Sequence, residues 1–229
     1  MSVLQTKSAD SGKKVESIKI SEMFLSLQGE GVHSGIPCFF IRTSGCDLRC
    51  SYCDTGYAFS EGKKLEMDHL LSLVPEGVPL IQITGGEPLI QEKAVLELIN
   101  QLSLHRKLSK ILLETGGHRS IEKIPESVHI VLDVKLPGSG EERNFLKQNF
   151  NFLKISDEIK FVISDRKDFN SASEMINRYK LNEVCSLLFS PVHGKLHPEE
   201  LAEWILKENL NVRLMLQLHK IIWGEKRGV

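Results

Sequence analysis

The sequence predicts an α/β fold with a mostly parallel sheet. Short apolar runs alternate with longer amphipathic segments along most of the 229 residues, an order typical of successive β-α-β units. Because right-handed crossovers place the helices on one side of a curled sheet, we expect a partial (β/α) barrel. The composition, with 41% hydrophobic and 26% charged residues, is that of a globular chain with a sizeable core.

The predicted elements follow one another without an internal repeat or a clear linker. Residues 1–17 are mostly polar and are predicted to form a flexible tail, and residues 18–229 a single domain. Apolar spacing then separates strands from helices. The predicted strands are 18–27, 37–43, 78–84, 110–114, 128–134, 158–163, 184–190 and 212–216, the predicted helices 65–73, 89–104, 144–153, 169–179 and 198–210, and the predicted loops 61–64 and 137–142.

The charge balance limits the partners that the chain is expected to have. The 29 Lys and Arg residues nearly equal the 30 Asp and Glu residues, which argues against bulk electrostatic binding to nucleic acid or to an anionic membrane. No stretch resembles a signal peptide or a membrane span. We therefore expect a cytoplasmic protein with reduced thiols and without a nucleic-acid or membrane partner.

Polar and glycine-rich loops follow the first five predicted strands. The carboxyl ends of parallel strands meet at one edge of a sheet, where ligands gather. We therefore expect these loops to form a single site. They comprise residues 28–31, 46–55, 84–88, 114–117 and 133–135.

Three of the five cysteines form a compact group, C-x3-C-x2-C, at Cys46, Cys50 and Cys53. Thiolates are the usual ligands of iron–sulfur clusters, and no fourth ligand follows at the spacing of a structural zinc site. Three ligands to a four-iron cluster leave one iron open for chemistry. A catalytic [4Fe–4S] cluster is therefore expected, with structural zinc or unrelated thiols as the alternatives. Cys38 and Cys185 lie in apolar runs and are predicted to pack as small core residues.

The cysteine group resembles that of the radical S-adenosylmethionine superfamily. Tyr52 precedes the last cysteine, and a Gly-Gly-Glu-Pro loop follows at residues 85–88 on the next β-α unit, where glycines allow close approach of the backbone to a ligand. The resemblance implies that the cluster's open iron binds S-adenosylmethionine, which is split to a 5′-deoxyadenosyl radical. It also implies cofactor contacts from Tyr52, Cys53, Asp54, Gly86, Asp133, Val134 and Lys135.

A narrower resemblance covers residues 18–229. The Leu-Gln-Gly-Glu-Gly sequence at 27–31, Arg42, the cysteine group and the segments 217–220 and 223–229 resemble the 7-carboxy-7-deazaguanine synthase family. The resemblance implies a carbon–nitrogen lyase of 7-deazapurine (queuosine) biosynthesis. Such an enzyme converts 6-carboxy-5,6,7,8-tetrahydropterin to 7-carboxy-7-deazaguanine and ammonia and depends on Mg²⁺. The implied partners are the pterin, a reducing electron-transfer protein and a second copy in a homodimer.

Substrate contacts are expected from two groups of residues. Leu27, Gln28, Gly29 and the Thr84 hydroxyl offer partners to the flat donor and acceptor edge of a pterin. Arg42 suits the substrate carboxylate, because a guanidinium donates two parallel hydrogen bonds. The alternatives are a polar turn at Gln28 and a solvated strand-end charge at Arg42.

The family resemblance implies three further ligands. Thr55 corresponds to a Mg²⁺ ligand, in keeping with magnesium's use of few protein ligands, and a turn hydroxyl is the alternative. His219 and the terminal carboxylate of Val229 are expected to reach the substrate, with a structural histidine as the alternative.

Two other functions remain open from the residues alone. A glycyl-radical-enzyme activase shares both cofactor motifs but binds a protein loop, so that it has less need of residues 28–31 and Arg42. A non-catalytic iron–sulfur or zinc module gains nothing from the Gly-Gly-Glu-Pro loop.

Overall fold

A computed structural model describes residues 16–106 and 108–229. The predicted tail therefore lies, up to residue 15, outside the described residues, and the first strand begins at Ser17. The division into a tail and one domain stays a prediction. Within the described part of the chain, no helix is both long and apolar enough to cross a bilayer.

Nine strands of the described residues form one sheet. They are β1 Ser17–Leu27, β2 Pro37–Thr43, β3 Lys63–Glu66, β4 Leu80–Gly85, β5 Lys110–Thr115, β6 His129–Val134, β7 Glu158–Ile163, β8 Ser186–Pro191 and β9 Arg213–Leu214. Their order is β3-β1-β2-β4-β5-β6-β7-β8-β9. β1 pairs antiparallel with β2 and β3, and every other neighbouring pair is parallel. The predicted α/β class with a mostly parallel sheet is confirmed.

The main core lies between the sheet and the longer helices. The helices are α1 Met67–Ser72, α2 Glu92–His105, α3 Arg166–Tyr179, α4 Pro198–Lys207 and α5 Leu218–Trp223. In α2, the side chains of Val95, Leu98 and Leu102 are fully buried at helical spacing. They pack with Ile81 and Ile83 of β4 in one apolar cluster. Because side chains alternate along a strand, the residues between these face the opposite, concave side of the sheet.

Two local predictions are wrong. β3 forms where a loop and the start of a helix were expected, pairing Lys63 with Ile20 and Glu66 with Ser17. The predicted helix 144–153 is instead a run of 3-10 turns, at Glu142–Asn144 and Lys147–Phe152. The reason is the buried Asn149, whose amide donates to the carbonyl oxygens of Gly117 and Arg119 at 3.0 and 2.9 Å. These tertiary hydrogen bonds fix a turn that the apolar spacing does not reveal.

The prediction that five loops share one edge of the sheet is wrong for the loop after the first strand. Residues 28–36 join β1 to β2, and this connection is too short for the crossover that a parallel pair requires, a dozen residues or more. The two strands are therefore antiparallel, with Leu27 opposite Pro37. The loop 28–31 consequently lies at the opposite edge from the cysteines, which follow β2.

The sheet does not close into a complete barrel. Instead, the loop that follows β1 contacts the segment that follows β9. The Leu218 backbone amide donates to the Gly29 carbonyl oxygen at 2.9 Å. The side-chain Nε2 of Gln217 donates to Glu30 Oε1 at 2.7 Å. These contacts form the seam, by which we mean residues 28–31 against residues 215–219.

Candidate functional site

A cavity of about 820 Å³ occupies the concave side of the sheet, a size typical of ligand sites, roughly 300–1,000 Å³. Its walls are the inward-facing residues of successive parallel strands, as the alternation of side chains requires. These are Phe40 and Arg42 of β2, Gln82 and Thr84 of β4, Leu112 and Glu114 of β5, Val131 and Asp133 of β6, Glu158 and Lys160 of β7, and Ser190 of β8.

The cysteine loop, residues 46–53, is held at the carboxyl edge of the sheet. The Gly45 amide just before it donates to the Ala58 carbonyl oxygen at 2.8 Å. At its other end, the Ser51 amide and hydroxyl donate to Ser139 and Gly138 carbonyl oxygens at 3.0 and 2.6 Å. This anchoring places Cys46, Cys50 and Cys53 on the wall of the cavity.

The three thiols face one cavity, as ligands of a shared metal group would. A structural zinc site closes with four protein ligands. In a [4Fe–4S] cluster each thiolate binds a different iron, so that three cysteines leave the fourth iron open. Burial raises the pKa of the Cys46 thiol to about 11, and a bound metal would favour its thiolate.

The Gly-Gly-Glu-Pro loop packs directly on the cysteine loop. A Cβ placed on Gly86 would lie 2.7 Å from Cys46 Cβ and 2.9 Å from the Gly45 carbonyl carbon, so that only glycine fits. The Glu87 amide donates to the Gly45 carbonyl oxygen at 2.8 Å. The buried Glu87 carboxylate accepts from the Thr115 hydroxyl at 2.8 Å and the Gly116 amide at 2.9 Å. It thereby joins the end of β5 to the same assembly.

The expected cofactor wall contains two buried oxygens without a partner among the described residues. Lys135 Nζ donates to Asp133 Oδ2 at 2.9 Å, but Asp133 Oδ1 and the Tyr52 hydroxyl have no hydrogen bond. An unpaired buried oxygen is costly unless a ligand or water completes it. Tyr52, Asp133 and Lys135 all line the cavity. Val134 does not: its side chain is fully buried in the core, which leaves only its backbone for a ligand.

The floor of the cavity is a polar network that the sequence did not reveal. The buried Gln28 amide nitrogen donates to Gln82 Oε1, and Gln82 donates in turn to Glu114 at 2.9 Å. Lys160 Nζ bridges Glu114 at 2.5 Å and Glu30 at 2.9 Å. Burial raises the pKa of Glu30, but Lys160 and Gln217 outweigh it, so that this pKa lies below its ordinary value. The available signal was a polar residue inside an apolar strand, as at Gln82 and Lys160.

Arg42 lies on the cavity wall next to a second carboxylate. Its Nε donates to Glu22 Oε1 at 2.8 Å, and the Tyr57 hydroxyl donates to the same oxygen at 2.7 Å. Neither Nη nitrogen of Arg42 donates a hydrogen bond to the described residues, so that both remain for a ligand. Glu22 and Tyr57 were not predicted.

Thr55 keeps its hydroxyl free of helix capping. It precedes the 3-10 turn Gly56–Phe59 without a side-chain capping bond. Its hydroxyl donates to Asp54 at 3.2 Å and lies 3.9 Å from Cys53 Sγ. A cation ligated by this oxygen would sit beside the cysteine loop, as the Mg²⁺ prediction requires.

The structure thus brings almost all predicted site residues onto one cavity, although their roles stay predictions. The exception is the Val134 side chain. The cavity-lining members are Leu27, Gln28, Gly29, Arg42, Cys46, Cys50, Tyr52, Cys53, Asp54, Thr55, Thr84, Gly86, Asp133, Lys135, His219 and Val229.

Comparisons with known proteins identify the family. The Radical SAM superfamily model matches residues 40–148. A 7-carboxy-7-deazaguanine synthase of Koribacter versatilis is 41% identical over 93% of this chain and 100% of its own length. The chain belongs to the 7-carboxy-7-deazaguanine synthase family. A synthase of Clostridium acetobutylicum is also 41% identical, over 92% of this chain and 99% of its own.

A solved structure supports the fold of this synthase family. The crystal structure of QueE from Escherichia coli superposes with a TM-score of 0.72, at 22% identity, over 88% of this chain and 94% of that chain. The predicted partial (β/α) barrel of the radical S-adenosylmethionine type is confirmed. Family membership also confirms the predicted lyase class and implies a [4Fe–4S] cluster and S-adenosylmethionine. Neither an activase nor a binding module is favoured.

Proposed function

We propose that this enzyme converts 6-carboxy-5,6,7,8-tetrahydropterin to 7-carboxy-7-deazaguanine and ammonia in queuosine biosynthesis. The observation that carries the proposal is one cavity that joins the cysteine loop to Arg42 and to the polar floor. A radical source and a carboxylate partner therefore face the same space.

The cysteine loop and the adjacent wall form the cofactor half of the site. Cys46, Cys50 and Cys53 would hold the cluster. A bound cluster with S-adenosylmethionine would supply radical chemistry, the abstraction of a hydrogen atom from the substrate. The backbone of Gly86 and the free Asp133 Oδ1 accept hydrogen bonds from the cofactor's polar groups.

The floor and Arg42 form the substrate half. The two Nη groups of Arg42 match a carboxylate in fork geometry, and Glu22 on Nε fixes the plane of the guanidinium. Gln28, Thr84 and Glu114 present both donors and acceptors, as the edge of a pterin requires. Their hydrogen-bond connection to Lys160 holds these side chains in place before the substrate binds. Little side-chain entropy is therefore lost when the substrate binds.

The proposal includes Mg²⁺ on Thr55. A hydroxyl is a weak ligand, so substrate oxygens and water would complete the coordination. The cation would hold the carboxylate near the cysteine loop and balance its charge.

One assay tests the proposed reaction. The anaerobically reconstituted enzyme is reduced and mixed with S-adenosylmethionine, Mg²⁺ and the carboxytetrahydropterin, and products are followed by mass spectrometry. We expect the deazaguanine and ammonia. Absence of the deazaguanine, with the cluster present and S-adenosylmethionine bound, would refute the substrate assignment.

The role of Arg42 has a separate test. Arg42→Ala should retain slow cleavage of S-adenosylmethionine without substrate, because the cysteine loop is unchanged, while the affinity for the pterin falls. Loss of a charge-assisted pair costs about 1.5–3 kcal/mol, which is roughly ten- to hundredfold in Kd. Unchanged affinity would remove Arg42 from the substrate site.

The remaining partners are also part of the proposal. A reducing electron-transfer protein is required by the cluster chemistry, and a cytoplasmic location would keep the cluster thiols reduced. Exposed apolar side chains around β9 and α5, such as Leu214, Ile221 and Ile222, support a homodimer interface, because clustered exposed apolar surface favours association. Sedimentation equilibrium tests the dimer, and a monomer at micromolar concentration would contradict it.

A further inference from the structure

Arg227 contacts two cavity-lining residues, Glu22 and Tyr57, and the neighbouring Glu61 with its guanidinium. Its Nε donates to Glu22 Oε2 at 3.0 Å, and both Nη nitrogens lie 3.2 Å from Glu61 Oε2. The guanidinium carbon stands 3.5 Å from the centroid of the Tyr57 ring. An isolated exposed ion pair contributes little, but two carboxylates and an aromatic face on one side chain form a specific attachment point.

Glu22 faces this attachment point because of a β-bulge. The register of β1 against β2 shifts between Ile20, opposite Thr43, and Glu22, opposite Arg42. Ile18 and Ile20 point into the helix-side core, and strict alternation would send Glu22 the same way. The extra residue re-aims it to the concave side, where it lines the cavity.

One carboxylate thus serves two guanidinium groups. Glu22 Oε1 accepts from Arg42 Nε at 2.8 Å and Oε2 accepts from Arg227 Nε at 3.0 Å. Without Arg227, Oε2 of Glu22 would lose this partner and the carboxylate would be held through Oε1 alone, by Arg42 and Tyr57, so that Arg42 would be less firmly oriented. The strap, residues 224–229, also loses the contacts by which Arg227 joins it to the wall.

We propose that Arg227 latches the strap over the cavity and, through Glu22, sets the orientation of Arg42 for the substrate carboxylate. Arg227 and Glu22 are positioning residues, and the proposal rests on the function proposed above. In this arrangement, binding in the substrate half of the site depends on the strap, whereas binding in the cofactor half does not.

The test compares Arg227→Gln with the unmodified enzyme in the cluster-loaded, unreduced state, in which no turnover occurs. Dissociation constants are measured for the carboxytetrahydropterin and for S-adenosylmethionine, and amide hydrogen exchange is followed over residues 218–229. We expect the pterin Kd to rise about three- to tenfold, the S-adenosylmethionine Kd to stay within about twofold, and exchange in the strap to accelerate. Arg178→Gln is the matched control, since Arg178 also lies over a tyrosine ring, at 5.7 Å from its centroid, but on α3.

Two further variants separate positioning from general disturbance. Arg227→Lys keeps the charge but loses the fork, and should give an intermediate pterin Kd. In the Glu22→Gln background, Arg227→Gln should add little, because residues that act through one another are not additive. A full additive effect, an unchanged pterin Kd, or an equal loss of S-adenosylmethionine affinity would overturn the proposal.

Failure of the proposed function can be told apart from failure of the Arg227 latch. If the unmodified enzyme does not bind the pterin, the proposed function is wrong. The latch is then judged by amide exchange alone, where an unchanged strap in Arg227→Gln would overturn it.

Discussion

Replacement of Gly86 by alanine should damage the cysteine loop specifically. The added Cβ would lie 2.7 Å from Cys46 Cβ and 2.9 Å from the Gly45 carbonyl carbon, and closer still to the Gly45 carbonyl oxygen. Two of these three neighbours are backbone atoms, which cannot rotate away. The Gly-Gly-Glu-Pro loop and the cysteine loop must therefore separate, against the 2.8 Å hydrogen bond from the Glu87 amide to Gly45.

The magnitude follows from the cost of overpacking. Extra methyl groups in closely packed sites cost about 1–3 kcal/mol, which lowers the melting temperature of a domain of this size by about 2–12 °C. Because Cys46 itself is displaced, the loss should be larger for the cluster than for the fold. We expect Gly86→Ala to take up markedly less iron on anaerobic reconstitution.

Two measurements check this prediction: calorimetric melting of the cluster-free protein, and iron and sulfide content after reconstitution. Gly56→Ala is the matched control, because its Cβ would meet only Phe59 Cε2, at an ordinary 3.7 Å. If Gly86→Ala and Gly56→Ala matched in iron content and melting temperature, contact between the two loops would not be what positions Cys46.

Three more perturbations probe other parts of the cavity. Lys160→Met leaves the partly buried carboxylates of Glu30 and Glu114 without their cation and should cost about 3 kcal/mol in urea unfolding, the low end for breaking a buried ion pair. Burial raises the pKa of Glu30, but Lys160 outweighs it and holds that pKa below the ordinary 4.5. The contribution of this pair to stability is therefore present above about pH 4.5 and lost as the pH falls through the folded-state pKa. Lys160→Met should flatten this pH dependence, and parallel pH profiles of mutant and unmodified protein would contradict the pairing. Thr55→Ala should raise the Mg²⁺ concentration needed for turnover while iron content is unchanged, and an identical Mg²⁺ titration would exclude Thr55 as a ligand. Gly29→Ala should push the His219 ring away, since its Cβ would lie 3.0 Å from His219 Cγ and closer to Nδ1; a weaker pterin Kd with normal iron is expected, and normal affinity would show that His219 is dispensable there.

Much of the fold was predictable because the parallel strands are buried on both faces. Short runs such as residues 111–113 and 130–132 are continuous in apolar character and buried on both faces, which marks a central parallel strand. The cofactor half of the site was predictable for a different reason. Its ligands are local in sequence, so that the spacing of Cys46, Cys50 and Cys53 already describes their grouping.

The rest depended on contacts between distant segments. The direction of β1 follows from the length of a connection and its pairing, and the turn at 147–152 from Asn149 reaching back to Gly117. Lys160 meets Glu30 across 130 positions, and Arg227 meets Glu22 across 205. No local periodicity contains such pairs, because an ion pair across the cavity exists only once the sheet has curled.

The two halves of the site differ in how firmly the sheet holds them. The cysteine loop and the Gly-Gly-Glu-Pro loop grow from strands locked in a continuous hydrogen-bonded ladder, so that changes there disturb the whole sheet. Residues 28–31 and 215–219 meet through a few loop contacts instead. Insertions or substitutions on those two segments can therefore reshape the compartment for a different molecule while the radical-generating half stays intact, which offers a route by which one scaffold acquires new substrates.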